Sequence, residues 1–365
     1  MIQRKYNPSL CLGVAIGAIA LAFVLGMLRI RTGIFDAVDT RTSEIANSVR
    51  SAYLTPAMRG LTWLGYETGL MVVICVIYWL GYTTEALVFM LMVVFGLALN
   101  SIMKDVFALS RPPDSLITKL DDPGGYGYPS GHGQWGILYA WLIYSFLDSS
   151  LNSSLAVCRF GNLPVQNPKL SNLQTSKRLF PAFAFSPYPP FLVLVCLLPI
   201  PLLIASRLYL GVHYLTDTIG GLICGVALVA GATGIYWYLR DSNGLRESLR
   251  RSFAVKVLLS LALSGAYFGL SCLTPEAFKY SGLAGFLFGF LLVYLMLGLR
   301  WRPRNLLLMV VVIAVGLAVM IGLRLGLAAI LPQNDLGKYC RYFVTGVYLA
   351  ASPLLFVKMG LLESA

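Results

Sequence analysis

The chain has only two histidines, and each stands in a cluster whose residue types suit the handling of a phosphoryl group. The first cluster runs from Lys104 to Arg111-Pro112. The second is Tyr128-Pro129-Ser130-Gly131-His132, and the third is Ser206-Arg207 followed by His213 and Asp217. Lys104, Arg111 and Arg207 are three cations at the ends of apolar runs, where unpaired charge is costly. The sequence offers no comparable set of carboxylates nearby to neutralise all three, and a phosphate would do so. Arginine grips phosphate oxygens through a planar fork, and lysine supplies a point charge. Ser130 and Gly131 precede a helix start, where backbone N–H groups, the Ser130 hydroxyl and the helix dipole favour an anion. His213 and Asp217 are four residues apart and share a helix face. The carboxylate can therefore hold one imidazole nitrogen and leave the other to attack. His132 is then the candidate acid for the departing oxygen. Any one cluster alone fits snorkelling interfacial cations and a simple helix cap equally well. With both histidines beside anion ligands, the three together argue for chemistry.

The elements that must position these residues are membrane helices. Of the 365 residues 58% are hydrophobic and 12% charged, whereas soluble domains average about 45–50% apolar and about 25% charged. The expected fold is an all-α polytopic membrane protein. Apolar runs long enough, or nearly so, to span fall at 9–28, 61–80, 86–103, 132–147, 190–205, 216–239, 253–272, 282–299, 306–331 and 342–361, ten in all. The first run lies behind Arg4 and Lys5 and reads as a retained helix or signal anchor. Lys and Arg gather in 148–189, 240–252 and 300–305, which places the N-terminus inside and the three clusters at the outer face; five Arg in 29–60 count against this orientation. Segment 29–60 reads as an amphipathic helix on the outer surface or as a connecting loop, and 148–189 as an irregular inside loop. The charged stretch around 240–252 divides a chemical half, 1–240, from an accessory four-helix region, 241–365.

The net charge of +12 resides mostly in short loops, which suits anionic headgroups and not nucleic acid. Seven cysteines without a CxxC pair suggest neither a disulfide framework nor a zinc site. Small residues at spacings of three and four in 282–299 mark a packing face, within the chain or between two copies in a homo-oligomer. Glu67 and Arg324 are weaker candidates for the headgroup pocket or a functional charge, and Asp105 and Asp114 read as structural or solvated.

The three clusters resemble the Lys-x6-Arg-Pro, Pro-Ser-Gly-His and Ser-Arg-x5-His-x3-Asp signature of the type-2 phosphatidic acid phosphatase superfamily. Every position is intact: Lys104, Arg111, Pro112, Pro129, Ser130, Gly131, His132, Ser206, Arg207, His213 and Asp217. The resemblance covers about residues 60–240. Order and spacing are also similar to sphingosine-phosphate phosphatases and to bacterial undecaprenyl-diphosphatase-like members. It implies a six-helix phosphatase core in which His213 forms a phosphohistidine and Asp217 orients it. His132 protonates the leaving group and then activates water, while Lys104, Arg111, Ser130, Gly131 and Arg207 hold the phosphoryl oxygens. It implies no metal and no other cofactor. The implied substrate is a lipid phosphate in the bilayer: a polyprenyl diphosphate, a phosphatidate-type lipid or a sphingoid-base phosphate. A lipid phosphotransferase or a sugar-phosphate phosphatase would share every motif residue. An inactive lipid-binding relative predicts broken motifs, and a transporter predicts paired signals in repeated halves; the sequence has neither.

Overall fold

The computed structural model describes residues 7–157, 190–241, 252–298 and 301–364. Asn7 starts the first helix, α1 (Pro8–Thr32), by accepting from the backbone N–H groups of Ser9 and Leu10, and Gly33 ends it. There follow α2 (Asp36–Ser48), α3 (Leu54–Trp63), α4 (Glu67–Trp79), α5 (Thr83–Phe107) and α6 (Gly131–Val157). After the undescribed stretch come α7 (Pro190–Leu197), α8 (Pro199–Tyr209), α9 (Leu215–Asp241) and α10 (Phe253–Ser271). The short α11 (Pro275–Phe278), then α12 (Leu283–Leu297), α13 (Leu306–Ile330) and α14 (Asp335–Lys358), complete the helices. Trp301–Pro303 and Leu362–Ser364 pair as a two-stranded antiparallel ladder beside this all-α framework.

The protein is an all-α polytopic membrane protein. Among the described residues seven helices are long and apolar enough to cross a membrane, or eight if the broken pair α3 and α4 makes one crossing. The ten crossings expected from sequence are not reached. α12 has only 15 residues, short of the roughly 20 that a bilayer core asks for, and α6 is not among the seven. The expected irregular loop from 148 is also corrected: α6 continues through Val157, and 158–189 lies outside the described residues.

The chain forms two compact units, one from 1–62, 111–123 and 129–241, the other from 63–110, 124–128 and 242–365. This division does not follow the 240/241 boundary, because α4 and α5 pack with the C-terminal helices. In that second unit the Tyr78 hydroxyl donates to the Ala350 carbonyl at 3.0 Å and the Trp79 indole to Ser352 Oγ at 2.8 Å. Phe95 meets Tyr267 edge-on. The small-residue face of 282–299 is used within the chain: Gly285 and Gly289 lie against the backbone of α14.

In the first unit α9 packs on α1 and α6, and α2 lies against α8 and α9. On α2, Val38 and Ile45 are exposed together with Thr40, Arg41 and Glu44, whereas Asp39, Ser43 and Ala46 are buried. The side turned to the protein is therefore largely polar, and the exposed side mixes apolar and charged residues.

Candidate active site

The third motif is delivered by a turn. α8 ends at Tyr209, and Gly211 adopts φ +75°, a conformation that side chains with a Cβ rarely take. A Cβ at Gly211 would also stand 2.9 Å from Arg50 Nη2 and 3.1 Å from the Thr118 carbonyl. The turn is pinned on both sides. Arg50 donates from Nε and Nη2 to the Tyr209 carbonyl, and the Leu120 amide donates to the Leu210 carbonyl at 2.9 Å. Val212 and His213 follow, and α9 begins at Leu215 with Asp217 in its first turn.

His213 is fixed at both nitrogens. Nδ1 lies 3.3 Å from Asp217 Oδ2, and Nε2 lies 3.0 Å from Arg111 Nη1, which also donates to the Val212 carbonyl at 2.7 Å. A guanidinium only donates, so Nε2 is the acceptor and the imidazole proton sits on Nδ1, facing the carboxylate. That tautomer keeps a lone pair on Nε2 beside a cation. Burial pushes Arg111 down to about 10, with neighbouring Arg207 adding to the shift and Asp217, Asp121 and Asp122 opposing it; it is still a cation at neutral pH.

Asp217 is fully buried. Its Oδ2 also accepts from the Tyr214 amide at 2.9 Å, and its Oδ1 is paired with Arg29 Nη1, from the last turn of α1. Arg29 lies 3.7 Å from Asp39 and 5.4 Å above the Tyr214 ring. Asp39 accepts from the Thr216 amide at 3.0 Å and from its hydroxyl. Burial pushes the Asp39 carboxyl up, against the pull of the Thr216 hydrogen bonds and of Arg29.

The second motif approaches from α6. Gly131 opens that helix, and the Ser130 hydroxyl is buried without a hydrogen-bond partner. The Ser130 amide was expected to face an anion; instead it donates to the Asp217 carbonyl at 2.9 Å. The two segments meet backbone to backbone, and a Cβ on Gly221 would overlap the Ser130 carbonyl. His132 is buried, with Nε2 2.9 Å from the Thr62 carbonyl and 3.0 Å from Thr62 Oγ1. A carbonyl only accepts, so this nitrogen carries a proton. Thr62 Oγ1 also accepts from Arg207 Nη1 at 2.7 Å.

The expectation that carboxylates are missing is corrected for Arg207, which pairs with Asp121 Oδ2 at 2.9 Å. Burying a guanidinium without such a partner is costly. Seven of the eight candidate residues, Arg111, Ser130, Gly131, His132, Arg207, His213 and Asp217, belong to the first unit; Lys104, in the last turn of α5, belongs to the second. Asp105, beside it, accepts from the Glu276 amide at the start of α11. Glu67 opens α4 and is exposed, and exposed Arg324 lies over the Tyr342 ring. Arg29, Asp39, Thr62 and Asp121 escaped the sequence reading. Asp121-Asp122 between two cationic motifs, and an Arg ending an apolar run, were signals; a lone Thr62 gave none.

Residues 85–241, which hold all three motifs, match the PAP2 superfamily. The match takes in a little under half of the chain, and over that stretch the chain is similar to the PAP2 superfamily. Arg29, Asp39 and Thr62 lie outside the matched stretch. No curated protein matches the chain. It is similar, at 22% identity and a TM-score of 0.45, to the crystal structure of a transmembrane PAP2 type phosphatidylglycerolphosphate phosphatase from Bacillus subtilis; the similarity covers 63% of this chain and 98% of that one.

Proposed function

We propose that this protein is a PAP2-type membrane phosphatase that removes phosphate from a lipid phosphomonoester or diphosphate through a phosphohistidine on His213. The observation that carries the reading is the imidazole held between Asp217 and Arg111, with the proton on Nδ1 and the lone pair on Nε2. Arriving phosphoryl oxygens take Arg111 from Nε2, joined by Arg207, the Ser130 hydroxyl and the Gly131 amide. The Nε2 lone pair attacks phosphorus and the bond to the leaving oxygen breaks. Protonated His132 gives that oxygen its proton, and Asp217 supports the positive charge on the phosphorylated ring. Neutral His132 then takes a proton from water, whose oxygen attacks phosphorus and frees Nε2 as phosphate departs.

The substrate tail stays in the bilayer, as a polyprenyl, diacylglycerol or sphingoid chain, and the headgroup enters at the periplasmic, extracellular or lumenal face. The Lys and Arg loops support that orientation. Ten crossings follow if α3 with α4, α6 and α12 each make one. A phosphotransferase would share the phosphohistidine, and a phosphorylated acceptor would identify it.

Rapid acid-free quenching with a labelled lipid phosphate tests the reading. Label that is stable in alkali, labile in acid, and absent from His213→Asn supports it. Full turnover of the parent with no trapped label under conditions of slow dephosphorylation overturns it.

A further inference from the structure

We propose that Arg29 is a positioning residue for the phosphoryl-transfer site: it shares the charge of Asp217, so that His213 stays unprotonated with its Nε2 lone pair available. The inference rests on the reading of His213 as nucleophile and extends it to a helix outside the matched stretch.

Asp217 has no exposure to water, and a buried carboxylate needs a cation or several donors. Neutral His213 supplies one hydrogen bond and no charge. The cation is Arg29, on the carboxylate oxygen opposite to the one facing the imidazole. Asp39 holds Arg29 from its far side and, through Thr216, ties α2 to the backbone next to Asp217. α1 and α2 thereby set the position and the effective charge of the carboxylate on which the imidazole rests.

The charges facing this pair come from every element packed on it. Arg29 comes from α1, Asp36 and Asp39 from α2, and Arg111, Asp121 and Asp122 from the segment after α5; Arg207 comes from α8, and Tyr214 adjoins. Among the described residues, Arg29 is ion-paired with Asp217 and Arg111 lies against His213 Nε2. Arg111 is on the nitrogen that must be vacated, so Arg29 is the cation that remains when substrate enters. Without it the full negative charge of Asp217 would draw a second proton onto the imidazole and remove the nucleophile.

Because the chain has two histidines, the full-length protein labelled with 15N-histidine and held in detergent gives two imidazoles whose titrations can be followed separately. Arg29→Gln is expected to raise the His213 midpoint by about one pH unit and leave His132 unmoved, with kcat at pH 7 roughly tenfold lower and KM within about twofold. Asp39→Asn, which frees Arg29 to act more strongly on Asp217, is expected to move the His213 midpoint the other way and serves if Arg29→Gln does not fold. An unchanged His213 midpoint in either folded variant, or both histidines moving together, overturns the proposal. Absence of phosphate release from the parent would count against the phosphatase mechanism alone, since the titration does not depend on turnover.

Discussion

In the first unit, α9 approaches α6 so closely that a Cβ on Gly221 would overlap the Ser130 carbonyl; in the second, α12 approaches α14 so closely that Gly285 and Gly289 would overlap the Tyr339 and Phe343 carbonyls. The geometric device is the same and the surroundings are opposite. Around Gly221 lie Ser130, His213, Asp217, Arg29 and Asp39, all joined through hydrogen bonds or ion pairs except the Ser130 hydroxyl, which has no partner. Along α12, Phe286 stacks on Phe290 and Phe290 on Tyr294, and Tyr78, edge-on to Phe290, spends its hydroxyl on a backbone carbonyl. Close approach in the second unit serves dispersion and small-residue packing. In the first unit it brings a helix start, a carboxylate and an imidazole within reach of one another.

If that contrast is real, substitutions in the two units should separate activity from stability. The largest effect is expected from His132→Asn: about 10²- to 10⁴-fold lower kcat on alkyl phosphates, as for loss of a general acid, with much less loss on an aryl phosphate whose leaving group needs no proton. Equal losses on both substrates would remove His132 from the acid role. Next, Gly221→Ala should lower both kcat per folded molecule and the unfolding temperature, since the Ser130–Asp217 backbone contact must open. Thr62→Val keeps the volume but removes the oxygen shared by His132 and Arg207, and is expected to lower kcat roughly tenfold, the scale of a lost buried hydrogen bond to a charged group; Thr62→Ser should recover most of it. Smallest in activity, Gly285→Ala should cost unfolding temperature while kcat per folded molecule stays within about twofold. A kcat loss there as large as that of Gly221→Ala at matched stability would break the comparison.

Much of this was legible in the sequence because motif spacing and apolar length are local. His213 and Asp217 do meet, as their separation of four suggested, although His213 stands in the turn ahead of α9 and not on the helix, and the long runs at 9–28, 86–103 and 306–331 became helices of 25 residues each. The apolar spacing in 29–60 was also visible, and Val38 and Ile45 lie on the exposed side of α2 among charged residues. What stayed hidden depends on contacts between distant segments. Arg29 reaches Asp217 across 188 positions and Arg207 reaches Thr62 across 145, and no periodicity records such pairs. The Ser130 amide was misread because a helix start predicts free N–H groups, and only the fold could show the Asp217 carbonyl there. Span counting from sequence goes beyond what helix length and composition show where a helix is short, broken or rich in polar residues, as at α12, α3 with α4, and α6.

The central claim is that His213 carries the phosphoryl group without a metal. The most direct measurement is phosphate release by the purified full-length protein in detergent with EDTA, across polyprenyl diphosphates, phosphatidate-type lipids and sphingoid-base phosphates, with His213→Ala beside it. The account predicts release that survives EDTA and falls at least about a thousandfold in the variant. Release that persists in folded His213→Ala, or that EDTA abolishes in the parent, would contradict it.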